Sequence, residues 1–231
     1  MNTDKAKSIT ITKVTDLNSP EYHVAMKLYN DLFPEEERLS PQQIEEMITG
    51  GVYTLCVARH IELDKVIGFA LVVFSEDPAF LFIDNIAIDS SLQGKGYGSM
   101  LFTGLEEMQE EKSQGIFLEI ELPAQALDEE DRIAREKRVG FYERLGCQAM
   151  QNIPYLFPIK DQEPLPLLLM FKPAPGVNKL PAEIVKQMVK CVYNEVHYDV
   201  PNREEIFNSF AHTIQDQFFE KAHTQEDKYA I

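Results

Sequence analysis

Residues Phe80-Leu81-Phe82-Ile83-Asp84-Asn85-Ile86-Ala87-Ile88 lead through Asp89-Ser90-Ser91-Leu92 into Gln93-Gly94-Lys95-Gly96-Tyr97-Gly98-Ser99, and the apolar stripe Leu101, Phe102, Leu105 and Met108 follows. The near-continuous apolar run predicts a strand buried on both faces, and the stripe predicts a helix. Between them lies a glycine loop. It is not the dinucleotide fingerprint G-x-G-x-x-G, because Ser99 stands where the third glycine is required. Nor is it a Walker A loop, since Lys95 is followed by Gly96 rather than by serine or threonine. What remains is a glycine turn opening a helix, whose free N–H groups and dipole suit a pyrophosphate. A tight strand-to-helix turn without a ligand reads equally well from the loop alone.

Working outward, Ile9–Val14 reads as a strand, Glu21–Phe33 as a helix stopped by Pro34, and Ser40-Pro41 as the start of another that Gly50-Gly51 ends. Val52–Ala58 and Val66–Phe74 form an antiparallel hairpin around His60–Lys65. Downstream, Ile116–Leu122 alternates so that Glu119 and Glu121 share one face. The acidic run Asp128–Asp131 precedes a helix over Arg132–Leu145, with Gly146 as its stop. Cys147–Phe157 and Leu165–Lys172 read as closing strands. Beyond the linker 173–178 two helices carry the stripes Ile184, Val185, Met188, Cys191, Val192 and Ile206, Phe207, Phe210, Ile214, Phe218, the second with a capping box at Asn202 and Glu205. Exposing so many large side chains is costly, so this hairpin should pack on the α/β body or on a second subunit as a homodimer.

The 231 residues and 44% apolar content describe a chain that can bury a core without staples or a structural metal. Twenty-two basic against 38 acidic residues leave a charge of −16, which repels phosphate backbones and speaks against nucleic acid as the main partner. Cys56, Cys147 and Cys191 are scattered, which fits a reducing cytoplasm rather than a disulfide framework. The histidines lack ligand spacing, so no metal is expected. No apolar run approaches the ~18 residues of a membrane span.

The segment Asp84-Asn-Ile-Ala-Ile-Asp89 followed by Gln93-x-x-Gly96-x-Gly98 resembles motif A of the GNAT acyltransferase superfamily, and Phe141-Tyr142-Glu143-Arg144-Leu145-Gly146 resembles its motif B. The resemblance covers roughly residues 8–172. It implies an α/β fold with a mixed, mostly antiparallel sheet, a splayed parallel strand pair (80–88 and 116–122) and flanking helices, residues 1–173 forming the acetyltransferase domain and 174–231 a C-terminal helical extension. It also implies acetyl-CoA as co-substrate. Amides near Ile86, Ala87 and Ile88 would take the pantetheine arm and thioester oxygen, and Gln93, Gly94, Lys95, Gly96, Tyr97, Gly98 and Ser99 would take the pyrophosphate.

The implied reaction is direct acetyl transfer to an amine. An amine of pKa ~10.4 arrives protonated, so a base is needed. Glu119 is the first choice, by likeness to strand glutamates in relatives, and Glu121 the second, with Asp84 and Glu35-Glu36-Glu37 in reserve. Tyr142 occupies the family's general-acid position toward the departing thiolate. The strong negative charge favours a cationic acceptor, a small molecule or a peptide. The alternative is a CoA-sensing or protein-binding module on a non-catalytic domain of the same fold. Family members often carry an asparagine after the fifth strand and an aromatic after the motif B glycine, where this chain has Pro123-Ala-Gln125 and Cys147, so the acceptor pocket should depart from the common form.

Overall fold

The computed structural model describes residues 9–35 and 38–219. They fall into two compact units, one of the chain through Ser75 with Leu81–Glu111, the other of Glu76–Phe80 with the chain from Lys112 onward.

In the first unit β1 (Ile9–Lys13), β2 (Thr54–His60), β3 (Lys65–Glu76) and β4 (Ala79–Ile88) follow one another in the sheet in chain order. β1 pairs with β2, and β2 with β3, antiparallel, with a register shift at Ala58 and Arg59. The hairpin expected from the sequence is therefore present. Helices α1 (Pro20–Leu32) and α2 (Pro41–Thr49) begin where Ser19 and Ser40 supply side-chain caps before proline, and Ser40 with Gln43 closes a full capping box. Helix α3 (Tyr97–Glu107) contributes Leu101, Phe102 and Leu105, all fully buried, to a core with Leu55, Ile67, Phe69 and Phe82. Burying each large side chain of this cluster contributes ~1.5 to 3 kcal/mol, which anchors the helix that follows the glycine loop.

In the second unit β5 (Gly115–Glu121) pairs antiparallel with β8 (Leu165–Pro173), and the short β6 (Gln148–Ala149) and β7 (Leu156–Phe157) pair antiparallel with the same strand. Cys147–Phe157 is thus two short strands rather than one, interrupted at Asn152, whose φ is 59°, and by Pro154. β5 opens at Gly115, where φ is 142° and a Cβ would stand 2.1 Å from the Lys172 carbonyl oxygen, so glycine is required. Helix α4 (Glu129–Arg144) starts a turn earlier than expected: Asp128 is its cap, accepting from the Asp131 N–H at 2.9 Å, and the acidic run forms its first turn.

The C-terminal helices α5 (Ala182–Glu195) and α6 (Arg203–Ala211) belong to this second unit and bury Val185, Met188, Val192, Ile206, Phe207 and Phe210. Two expectations fail here. Asn202 caps α6 without any side-chain hydrogen bond, so the Asn202 and Glu205 capping box is not formed. Phe218 is 71% exposed because the helix ends at Ala211 and residues 217–218 form β10, which pairs with β9 (Lys179–Leu180). The period changes from helical to alternating, so Gln217 and Phe219 turn inward and Phe218 outward. Buried Gln217 is satisfied by Gln151, whose N–H donates to it at 2.7 Å and whose carbonyl accepts at 3.1 Å. Asp216 accepts the Ala182 N–H at 2.8 Å and pairs with Lys179 at 2.6 Å, thereby capping α5 from the far end of the tail. The fold class is as expected: α/β, mostly antiparallel strands with flanking helices. Among the described residues no helix is long and apolar enough to cross a membrane, and no cluster of three or more histidine, cysteine, aspartate or glutamate side chains could hold a metal ion.

Candidate active site

The ten residues expected to hold the co-substrate lie on one continuous strand, loop and helix of the first unit. Ile86 and Ala87 are half-buried in β4, and Ile88 is buried at its end. The Asp89 N–H bonds the Ile67 carbonyl at 2.8 Å, and its carboxylate accepts from the Ser91 N–H and hydroxyl at 2.9 and 2.7 Å, turning the chain into a single 3-10 turn over Ser90–Leu92. The Ser91 bonds hold the Asp89 carboxyl below its ordinary range. Gln93 bridges the turn, its side-chain amide donating to the Ile88 carbonyl at 3.0 Å. Gln93, Gly94, Lys95 and Gly96 are exposed.

Gly94 and Gly96 have φ of 74° and 91°, and a Cβ at either would meet nothing within 4 Å. Their requirement for glycine is thus conformational in the protein itself, and the empty space above them leaves room for a ligand against the backbone. Gly96 is the N-cap of α3 and offers no side chain, so the N–H groups of Tyr97, Gly98 and Ser99 form an uncapped helix start. Together with Lys95, whose ammonium donates to the Ser91 carbonyl at 3.2 Å, this is an arrangement that fits a phosphate group. The Tyr97 hydroxyl is 2.8 Å from His60 Nε2. His60 Nδ1 accepts the Leu63 N–H at 3.2 Å, so a neutral ring carries its proton on Nε2 and donates it to Tyr97.

Also in this unit, Asp84 accepts the Tyr53 hydroxyl at 2.5 Å. Burial pushes its carboxyl up to about 6, although the Tyr53 bond acts in the other direction.

The second unit carries the other candidates. Glu119 and Glu121 are half-buried on one face of β5, as the alternation predicts. They have different partners: Glu121 is ion-paired with Arg138 of α4, while Glu119 accepts a hydrogen bond from the Tyr155 hydroxyl. Tyr142, one helical turn beyond Arg138, is 8% exposed. Desolvation raises its phenol to about 12, with the Arg138 charge opposing the shift. It is therefore protonated at neutral pH. Glu35 lies just beyond α1, and Glu36 and Glu37 lie outside the described residues.

Sequence reasoning missed Tyr53, His60, Arg138, Tyr155 and Tyr193. Tyr193 sits on the buried stripe of α5, where an aromatic reads as core, and Tyr155 follows a proline in a segment without periodicity. Each matters through a contact distant in sequence, for which a single chain carries no local signal.

Residues 51–148 match the family model of the acetyltransferase (GNAT) domain, a span that includes the glycine loop, Glu119 and Tyr142. A candidate acetyltransferase of Bacillus subtilis (strain 168), YjbC, is 27% identical over 128 residues, which are 54% of this chain and 57% of the relative. The match thus spans little more than half the length of that relative. Among solved structures, a candidate acetyltransferase of the GNAT family from Bacteroides thetaiotaomicron superposes with a TM-score of 0.65 at 22% identity, covering 83% of this chain and 99% of that one. An aminoglycoside 6'-N-acetyltransferase complexed with coenzyme A gives 0.52 at 21% identity, covering 71% and 96%. These likenesses establish the fold.

Proposed function

We propose that this chain, which carries a GNAT acetyltransferase domain at residues 51–148, transfers an acetyl group from acetyl-CoA to an amine. The observation that carries the reading is the uncapped start of α3 behind two exposed positive-φ glycines, with the matched family around it. The N–H groups of Tyr97, Gly98 and Ser99 and the Lys95 ammonium would hold the pyrophosphate, Gln93 keeps the loop in shape, and the backbone of Ile86, Ala87 and Ile88 would receive the pantetheine arm. The aminoglycoside enzyme solved with coenzyme A supports that ligand class by analogy of fold.

Acetyl-CoA supplies a thioester carbonyl carbon open to attack. The chain's own groups manage the protons. Glu119 removes the amine proton, while Glu121 is ion-paired with Arg138. Tyr142 faces the opposite task. A phenol near 12 is a weaker acid than a thiol of ~8.5, so Tyr142 stabilises the leaving thiolate by donating a hydrogen bond rather than by surrendering its proton outright. A net charge of −16 favours a cationic acceptor, with a small amine and a peptide as the classes to test.

Asp84 is a second candidate base, because a half-buried carboxyl near 6 is poised closer to neutral pH than an ordinary carboxylate. Comparing Glu119→Gln with Asp84→Asn separates the two, the true base losing ~10² to 10⁴-fold in kcat.

The test of the reading is a panel of polyamines, aminoglycosides and lysine-bearing peptides incubated with acetyl-CoA, with acetylated products read by mass spectrometry. A new acetyl-amine adduct supports transfer. Thermal stabilisation by acetyl-CoA with no adduct in the whole panel would favour a non-catalytic CoA-binding module instead.

A further inference from the structure

Glu119 is bonded by Tyr155, and Tyr155 comes from outside the span matched to the family model. Its placement is firm. The Leu167 N–H of β8 donates to the Tyr155 carbonyl at 3.1 Å, and Leu167 and Leu169 are the β8 residues registered opposite Glu121 and Glu119. The residue is thus fixed against β8, the strand that pairs with the one carrying the candidate base. Its fully buried ring meets Tyr193 of α5, at 5.9 Å and 77°, and Phe210 of α6, at 5.6 Å and 72°, in a three-ring cluster.

A phenol has one hydrogen to give. The Tyr193 hydroxyl gives its own to the Leu156 carbonyl, next to Tyr155 in the chain, and Tyr155 gives its own to Glu119 Oε1. Burial and the nearby Glu119 charge both push the Tyr193 phenol up, so it stays a donor throughout the neutral range. Both C-terminal helices therefore present aromatic rings to one tyrosine, whose hydroxyl donates to one oxygen of the Glu119 carboxylate.

We infer that Tyr155 is a positioning residue for Glu119, and that α5 and α6 belong to the catalytic apparatus by fixing the Tyr155 ring and hydroxyl. The inference rests on the reading of Glu119 as base. In that role a carboxylate must be held in a set direction toward the amine, and the Tyr155 hydroxyl restrains it through Oε1. The donor also favours the charged form of the carboxylate.

The experiment is a carboxyl 13C NMR titration of Glu119 in the full chain, assigned through Glu119→Gln, with kcat and KM measured on the acceptor found in the amine panel. In Tyr155→Phe, which keeps the ring, the Glu119 midpoint moves up by about one pH unit, since a hydrogen bond to a charged group is lost. The acid limb of kcat/KM moves with it, kcat falls by roughly tenfold, and the affinity for acetyl-CoA stays within about twofold. Tyr193→Phe shifts the midpoint in the same direction by less, and carries the test if circular dichroism shows Tyr155→Phe unfolded. In a Glu119→Gln background Tyr155→Phe costs no further rate. An unmoved midpoint, or a loss that adds fully to that of Glu119→Gln, overturns the inference while acetyl transfer itself stands. Absence of any acetylated amine with the unmodified chain removes the functional reading, and this inference with it.

Discussion

The His60 ring and the Tyr97 hydroxyl meet at 2.8 Å, joining the end of β2 to the first turn of α3. His60 is 6% exposed and uses both nitrogens, so the pair fixes the helix start from which the phosphate-binding N–H groups project. Tyr97→Phe removes the hydroxyl and leaves His60 Nε2 short of a partner. The expected cost is ~1 to 3 kcal/mol of stability in urea unfolding. Acetyl-CoA affinity should fall with it.

Gly96→Ala should weaken acetyl-CoA binding by about five- to thirtyfold, because φ of 91° costs a non-glycine residue roughly 1 to 2 kcal/mol and the strain is relieved by moving the loop. Crowding is not the reason, since a Cβ there meets nothing within 4 Å. Isothermal titration calorimetry checks the affinity, and an unchanged Kd would mean that the loop conformation does not matter to the ligand.

Asp84 has a folded pKa raised from 3.8 to about 6, so ionising it disfavours the folded state. The penalty is present at neutral pH and disappears as pH falls through about 6 toward 4. Asp84→Asn, which can still accept from Tyr53, should be more stable than the unmodified protein at pH 7 by ~1 to 2 kcal/mol. The advantage should vanish near pH 4. Urea unfolding at the two pH values measures it.

His197 behaves in the opposite sense. Desolvation pulls its pKa from 6.5 to about 4, with Asp199 opposing, and its Nε2 is buried without a hydrogen-bond partner. The ring packs against Phe157 at 4.5 Å and Tyr193 at 6.0 Å. A His kept neutral in the fold contributes stability that is complete above about 6.5 and lost as pH falls toward 4. His197→Phe should flatten the acid loss across that window by ~2 to 3 kcal/mol in thermal or urea unfolding.

Much of the first unit was legible because its signals are local. Proline and serine mark α1 and α2, the β2 and β3 hairpin shows in its β-rich runs, and the glycine loop stands between a buried strand and an amphipathic helix. The shared face of Glu119 and Glu121 followed from strand alternation, but their different partners did not. Arg138, Tyr155 and Tyr193 reach them through packing that no spacing along the chain encodes. The tail shows the same limit at Phe218, where a helical stripe was extended across residues that pair as a strand with β9. A stripe reports that side chains are apolar; where the helix stops depends on a partner strand elsewhere in the chain.

Amine-dependent release of free thiol from acetyl-CoA, compared between the unmodified chain and Tyr142→Phe, tests the central claim most directly. The account predicts thiol release that requires the amine, with kcat lowered ~10² to 10³-fold in the variant, the cost of losing one hydrogen-bond donor to the developing anion, and acetyl-CoA affinity nearly intact. No amine-dependent release by the unmodified chain across the panel would contradict acetyl transfer, and equal kcat in a chemistry-limited assay would remove Tyr142 from it.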